Sequence, residues 1–353
     1  MLGQVSAMDS HALSREPAPA AAAVAIEPAA AVASEPWHAH LPSLVTLGPF
    51  LALVAACLFF SLQSDRFLSM QNFALVAQQV MVVGLLAIGQ TLIILTAGID
   101  LSCGMVMALG GITMTKLAVD SGLPPALAIA GGLGVTTLFG LLNGLLVTRV
   151  KLPAFIVTLG TMNIAFAVTQ LYSGSQTVTG LPDALTALGN TFVLGGAEVS
   201  WGVVLMLGLY LLAWLALRET APGRHVYAVG NNREAARLTG ISVTRVLMGV
   251  YVLAGLLYGV AALLSVARTG VGDPNAGQTD NLDAITAVVL GGTSLFGGRG
   301  VILGSLVGAM IVGVFRNGLT LMGVSSIYQV LVTGILVILA VAFDQLSHRG
   351  GRA

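Results

Sequence analysis

The side chains in the apolar stretches of this sequence that could do chemistry are amides and hydroxyls, joined by one carboxylate at an edge. Six of these positions are singled out: Asp100, Asn143, Thr158, Thr161, Asn163 and Asn317. Amide and hydroxyl groups both donate and accept hydrogen bonds, so a surface lined by them suits a neutral polyol. Each also has an alternative role, since a lone Asn or Thr in an apolar helix often bonds a neighbouring helix. Asp100 can instead cap a helix that restarts at Leu101.

The motifs of catalysis and nucleotide binding are missing from the sequence. None of the five histidines lies in an apolar stretch, and neither an H-E-x-x-H pair nor a G-x-S-x-G elbow occurs. Lys116 and Lys151, the only lysines, are not preceded by glycine, so there is no Walker A loop. Cys57 and Cys103 lie in apolar stretches and indicate buried thiols. We therefore expect no catalytic residue, metal site or cofactor, and a chain that is not an enzyme.

The composition indicates the environment of the segments that carry these polar side chains. Hydrophobic residues make up 56% of the chain and charged residues only 8%, against about 25% charged residues in soluble domains. The mean hydropathy is +0.93. Such a chain cannot cover its surface for water, so a lipid bilayer is the expected surrounding. The formal net charge of zero argues against a nucleic-acid partner.

Ten apolar stretches follow one another along the chain, and a membrane-spanning helix needs about 20 such residues. We predict spans near 44–62, 74–96, 101–119, 123–148, 153–172, 199–217, 246–267, 284–296, 301–321 and 327–343. The eighth is short, and the bounds of the third and eighth are the least well defined. The predicted fold is an all-α membrane protein of about ten transmembrane helices, with the membrane domain at 42–346.

The distribution of basic residues orients this domain. With the N-terminus inside, eleven of the fifteen Lys and Arg fall on inner loops and tails, and cytoplasmic loops carry such an excess. Both termini are therefore predicted to be cytoplasmic. Residues 1–41 are rich in Ala and Pro and predict a disordered tail rather than a signal peptide. Residues 347–353 form a second cytoplasmic tail.

Glycines are placed in two ways. Pairs spaced by four, such as Gly140 with Gly144 and Gly255 with Gly259, predict close helix packing, within one chain or between two. The stretches 96–102 and 291–300 instead interrupt apolar runs. Irregular backbone of this kind at membrane depth indicates a transport path, although a plain helix–turn–helix explains both stretches too.

The longest inner loop, 218–245, holds five arginines and the signals of a short helix. Pro222 and Gly223 break the preceding helix, Asn231 and Asn232 can cap a new one, and Gly240 can end it. Glu234 would lie in its first turn, where the helix dipole favours a negative charge. Such a helix suits a groove on another protein, or serves as an ordinary amphipathic connector.

The run Glu234-Ala235-Ala236-x-x-x-Gly240-Ile241 resembles the E-A-A-x-x-x-G loop of bacterial ATP-binding-cassette (ABC) importer permeases. The segments 89–111, 140–168, 223–241 and 283–319 are similar to monosaccharide permeases of the ribose, arabinose and xylose type. Together they cover most of 70–345. The tail before residue 41 has no counterpart in that pattern.

The resemblance implies a multi-pass permease subunit of the bacterial inner membrane that carries a ribose-type monosaccharide. It implies a homodimer, a separate ABC ATPase subunit, a periplasmic sugar-binding protein and a path along the dimer axis. The ATPase would dock at the coupling loop, with the residues Gly223, Arg224, Asn231, Asn232, Glu234, Ala235, Ala236, Arg237 and Gly240.

The six polar positions named at the outset are then predicted to line the path. The polar outer loops 173–198 and 268–283 are either connectors or the docking site of the binding protein. A facilitator or secondary carrier acting alone is the alternative, motivated by the same broken spans. The sequence does not name the sugar.

Overall fold

The structure, a computed structural model, describes residues 44–350. The predicted tail 1–41 and the last residues, 351–353, lie outside the described residues. For 44–47 and for most positions after Ile335 only the backbone is described.

Helices make up 75% of the described residues. They are α1 (Leu44–Gln63), α2 (Met70–Leu95), α3 (Cys103–Val119), α4 (Pro125–Thr148), α5 (Ala154–Ser173), α6 (Asp183–Thr186), α7 (Trp201–Glu219), α8 (Ala221–Asn231), α9 (Arg233–Leu238), α10 (Val243–Thr269), α11 (Asp280–Leu290), α12 (Ile302–Leu321) and α13 (Ser326–Gly350). Two strands, β1 (Thr191–Leu194) and β2 (Ala197–Ser200), form one antiparallel hairpin.

Each of the ten predicted apolar stretches coincides with a helix. Among the described residues, six helices are long and apolar enough to cross a membrane, namely α2, α4, α5, α7, α10 and α12. The third and eighth stretches form the shorter helices α3, of 17 residues, and α11, of 11 residues. α11 ends at Leu290, six residues before the predicted end of that span. The number of ten crossings and the side on which the termini lie stay predictions.

The helix α2 forms the centre of the bundle. Nearly all of its residues from Val80 to Leu95 are buried, and α7, α10, α11 and α12 pack around it. From Val80 to Leu95 its sequence is apolar apart from Gln90 and Thr91, which is the pattern of a helix surrounded by other helices. Large apolar side chains are exposed on the peripheral helices instead, for example Leu62 on α1 and Leu171 on α5.

Paired glycines bring helices into close contact within one chain. The sequence had left open whether such contacts lie within one chain or between two. On α4 and α10, Gly140 faces Gly255 so closely that a Cβ at either would overlap the opposite backbone. On α12, Gly304 and Gly308 lie against the backbone of Gly291 and of α11 in the same way.

We call the end of the bundle that carries α8 and α9 the inner end, after the predicted orientation, and the opposite end the outer end. The outer loop 173–198 holds α6, a 3-10 turn at Ala187–Gly189 and most of the hairpin. The hairpin turns at Gly195 and Gly196, which both have positive φ and thus suit a two-residue turn. It is tied to α2, where Gln78 Nε2 donates to the Glu198 carbonyl oxygen at 3.2 Å.

Candidate functional site

The predicted helix of the inner loop forms as α9. Asn232 is its N-cap, and the Asn232 Oδ1 atom accepts a hydrogen bond from the Ala235 amide at 3.0 Å. Gly240 follows the helix with a φ of +87°, the left-handed conformation that ends a helix at low steric cost. Ala236 is buried, whereas Leu238 is 81% exposed. α9 therefore leaves most of its surface exposed.

The inner loop also holds a helix that the sequence did not predict. α7 ends at Glu219, and α8 begins almost at once, with Thr220 as its N-cap and Pro222 in its first turn. Pro222 and Gly223 thus start a helix instead of breaking one, because a proline at the first helical positions lacks only an amide that would be unpaired there. Val226 and Val229 turn inward and fix α8 on the bundle.

The end of α8 is joined to the inner end of α2. A Cβ at Gly230 would overlap the carbonyl oxygen of Leu95, so only glycine permits this approach. The Gly298 amide donates to the same Leu95 oxygen at 2.9 Å. Arg233 Nη2 donates to the Thr96 carbonyl oxygen at 3.1 Å. These contacts, which we call the inner junction, tie α8 and α9 to the residues after α2 and to the stretch 291–300.

The stretch 291–300 is the irregular turn that its glycines predicted. Gly297 and Gly298 have φ values of +83° and +71°, and a Cβ at these positions would overlap Ala97 and Asn231. The Tyr227 hydroxyl on α8 donates to the Gly300 carbonyl oxygen at 3.0 Å. Partial burial raises the pKa of the Tyr227 phenol, which keeps this donor protonated.

Asp100 is buried in an irregular segment between α2 and α3. Its Oδ1 atom accepts from the Ser102 amide at 2.7 Å and from the Ser102 hydroxyl at 2.6 Å. Its Oδ2 atom accepts from the Tyr258 hydroxyl on α10 at 3.1 Å. α3 begins at Cys103 with Ser102 as N-cap, so the helix starts two residues later than the predicted restart at Leu101. Asp100 supports that start through Ser102.

Side chains from α2, α4, α5 and α11 hold this segment, three through its backbone and one through Ser102. Gln90 on α2 donates to the Asp100 carbonyl oxygen at 2.5 Å, and Asn281 on α11 donates to the Leu101 oxygen at 3.1 Å. Thr158 on α5 donates to the Ile99 oxygen at 3.1 Å, while Asn143 on α4 donates to the Ser102 hydroxyl at 3.1 Å. Away from water, unpaired backbone groups are costly, so these side chains let an irregular segment exist inside the bundle.

The structure thus brings together three of the six predicted polar positions, Asp100, Asn143 and Thr158. Thr161 lies one turn along α5 and bonds back to the Val157 carbonyl oxygen at 3.2 Å. Asn163 is exposed and donates to the Leu159 oxygen at 3.0 Å. Asn317 is buried on α12, and its Oδ1 atom has no hydrogen-bond partner among the described residues.

Both short helices begin inside the bundle. Gln90, which bonds Asp100, lies five residues before the end of α2, or about 7.5 Å at the rise of an α-helix. α3 therefore starts deeper inside the bundle than the inner end of α2. Its first turn meets the segment before α11, where a Cβ at Gly104 would overlap the Gly277 carbonyl oxygen. Broken spans whose helices begin within the bundle are typical of transport folds.

Two cavities flank this region. At the inner end, the residues Ala97 to Ile99 line a cavity of about 620 Å³ together with Lys151 and Arg233. Toward the outer end, Arg268, Asp280 and Arg316 line a polar cavity of about 290 Å³ between α2, α10, α11, α12 and α13. Among the described residues, no three His, Cys, Asp or Glu side chains gather as a metal site would require.

The sequence missed several members of these sites. Arg316 forms an ion pair with Asp283, whose side chain is fully buried. Arg316 lies inside the predicted span 301–321, and such a charge requires a partner, but nothing local indicated Asp283. Gln90 carried a signal, as an amide inside an apolar stretch. Tyr258 carried none, since a tyrosine in an apolar helix is ordinary.

An all-helical bundle with broken spans, polar cavities toward each end and an exposed capped helix is the architecture of a multi-span membrane permease. The chain belongs to the family of permease components typified by branched-chain amino acid transport systems, whose model matches residues 72–341. It is therefore a transport component rather than an enzyme.

The chain is similar over most of its length to permeases named for sugars. It is 46% identical to the fructose import permease protein of Rhizobium meliloti over 84% of each chain. It is 42% identical to the ribose import permease protein of Bacillus subtilis, over 85% of this chain and 92% of that one. For the ribose import permease protein of Escherichia coli K12 the identity is 39%, over 87% and 94%. No solved structure matches the chain. The resemblance to monosaccharide importer permeases is confirmed.

Proposed function

We propose that this chain is the membrane-spanning subunit of an ABC importer that carries a monosaccharide inward, driven by ATP hydrolysis in a separate subunit. The relatives named for fructose and ribose import support the substrate class. The observation that carries the mechanism is the inner junction, because it joins the exposed helix α9 to the end of α2, from which the irregular segment before α3 follows.

α9 is the docking element for the ATPase in this proposal. Glu234 and Arg237 pair at 3.2 Å on its exposed face, and both side chains are more than two-thirds exposed. Arg233 and the Gly230 contact link this face to Thr96 and Leu95. A displacement of α9 on ATP binding therefore moves the segment that α3 starts from. Since the bundle interior is close-packed, such a shift passes to the neighbouring helices.

The orientation follows the predicted topology, with ten spans, both termini cytoplasmic and the chain in the bacterial inner membrane. Two copies form a dimer around a central path. The exposed face of α5 supports this arrangement, since Gly160 has open space beside it and Asn163 presents its amide on the same side. The outer hairpin and the segment 270–279 are the surface that a periplasmic sugar-binding protein would meet.

The proposal is tested by reconstituting the chain in vesicles with its ATPase and sugar-binding protein. We expect uptake of labelled fructose or ribose that requires ATP and both partners. Comparing the two sugars decides between the functions named for the relatives. Uptake by the chain alone would instead establish a facilitator and overturn the proposal.

A charge reversal at the docking helix gives a sharper test. Glu234→Lys breaks the pair with Arg237 on the exposed face, so ATP hydrolysis is expected to continue while uptake falls. Glu219→Lys is the matched control, because Glu219 also pairs with a neighbouring arginine, Arg218, at 3.1 Å at the inner end. If both variants take up sugar at the parental rate, α9 is not the docking helix.

A further inference from the structure

A long apolar crevice runs between α7 and α10 at the inner half of the bundle. It has a volume of about 650 Å³, and apolar residues of α2, α7, α8 and α10 form nearly all of its walls. On α10 it extends from Arg245 to Leu257, which is about 18 Å at the rise of an α-helix. Leu212 on α7 and Leu253 on α10 are exposed at its sides.

The surroundings of the crevice indicate what can fill it. Leu212 and Leu253 are exposed along its side, so in a membrane this side faces the acyl chains of the lipid. Apolar walls hold no water. A hydrocarbon chain from the surrounding bilayer matches these walls.

The mouth of the crevice at the inner end is cationic. Arg245 and His225 lie on its lining, and neither side chain makes an ion pair within residues 44–350. The first turn of α8, with Pro222 and Gly223, faces the same opening. That turn is the N-terminal end of an 11-residue helix, where the helix dipole is positive. An anionic group is therefore favoured at this mouth.

We propose that this crevice binds one anionic phospholipid, with an acyl chain between α7 and α10 and its phosphate at Arg245 and His225. Basic openings between membrane helices on the cytoplasmic side attract anionic headgroups. The lipid would lie beside α8, the helix that joins α9 to the bundle, and so would stabilise the position of the inner junction. The binding site does not depend on the sugar that the chain carries.

The test uses the full chain purified in detergent, with phosphatidylglycerol titrated against phosphatidylcholine and binding followed by native mass spectrometry. We expect one molecule of phosphatidylglycerol to bind tightly and phosphatidylcholine to bind more weakly. Arg245→Gln should weaken phosphatidylglycerol about five-fold, as the loss of one surface cation predicts. Arg149→Gln is the matched control, since Arg149 is also exposed at the inner end but lies outside the crevice.

A second variant tests the apolar part without removing charge. Gly249 lines the crevice, and a Cβ there would meet no protein atom, so Gly249→Leu places apolar volume in the crevice. We expect it to lower binding of both lipids at least ten-fold. Gly208→Leu on α7 is its control, because Gly208 is equally open but outside the crevice.

Equal affinity for the two lipids would overturn the headgroup assignment. Unchanged phosphatidylglycerol binding by Gly249→Leu would overturn the acyl-chain assignment. A change in oligomeric state caused by Gly249→Leu, but not by Gly208→Leu, would show that a second copy occupies the crevice and would overturn the proposal as a whole.

Discussion

The inner and outer regions of this bundle differ in the interactions that hold their buried polar groups. At the inner junction, glycines and Arg233 hold an irregular backbone. In the adjoining segment between α2 and α3, the Asp100 carboxylate accepts three hydrogen bonds. Toward the outer end, Arg268, Asp280 and Arg316 face a polar cavity, and the pair Arg316–Asp283 joins α12 to α11. Backbone contacts therefore hold the inner region, and charged side chains hold the outer region.

The difference shows where each region tolerates change. A hydrogen bond to a backbone carbonyl contributes about 1 kcal/mol, and losing one leaves the rest in place. A buried charge that loses its partner costs several times more. We therefore expect the outer pair to dominate stability and the inner junction to dominate coupling.

The largest effect on stability is expected from Arg316→Met. It leaves the Asp283 carboxylate, which is fully buried, without its cation, and breaking a buried pair in this way costs about 3–5 kcal/mol. Thermal unfolding in detergent measures the loss. The double variant with Asp283→Leu should recover most of it, and equal losses in the single and double variants would refute a charge-based role.

A smaller loss of stability, with a complete loss of coupling, is expected from Gly230→Val. The new side chain would overlap the Leu95 carbonyl oxygen and the Gly298 amide, and overpacking of this kind costs about 1–3 kcal/mol. Gly134→Val is the control, because open space surrounds that position on α4. Sugar uptake and ATP hydrolysis, measured together, should separate only in Gly230→Val. Coupled transport by this variant would show that α8 is not held through the inner junction.

Asp100→Asn should cost only about 1 kcal/mol, since it keeps the Oδ1 acceptor for Ser102 and loses one bond, from Tyr258. Tyr258→Phe removes the same bond from the other side and should match it. If Asp100→Asn instead abolishes uptake while the unfolding temperature stays unchanged, the carboxylate acts on the solute and not on the backbone.

The smallest effect on stability is expected from Asn163→Ala. The Asn163 side chain is exposed and bonds only the carbonyl oxygen four residues before it, so the free energy of unfolding should change by less than about 0.5 kcal/mol. If its amide lines the path, uptake should fall about five-fold, the factor for one lost hydrogen bond. Unchanged uptake would remove Asn163 from the path.

The membrane class, the helical stretches and the capped helix α9 followed from the sequence because each depends on neighbouring residues. Apolar runs of sufficient length predict helices in lipid, and the spacing of Asn232, Glu234 and Gly240 predicts a short helix with both ends capped. These features need no knowledge of which elements touch. α8 was not predicted, because a proline such as Pro222 can either end a helix or begin one. The packing of Val226 and Val229 against the bundle decides that a helix begins here.

Only the tertiary structure decided that α3 and α11 begin inside the bundle, that Asp100 bonds Tyr258, and that Arg316 pairs with Asp283. The first of these bonds joins residues 158 positions apart. Many hydroxyls in the sequence could have served Asp100 equally well by type, and several acids could have served Arg316. Local pattern carries no information about such distant choices, because they are made when ten apolar stretches pack and each buried polar group must find a partner.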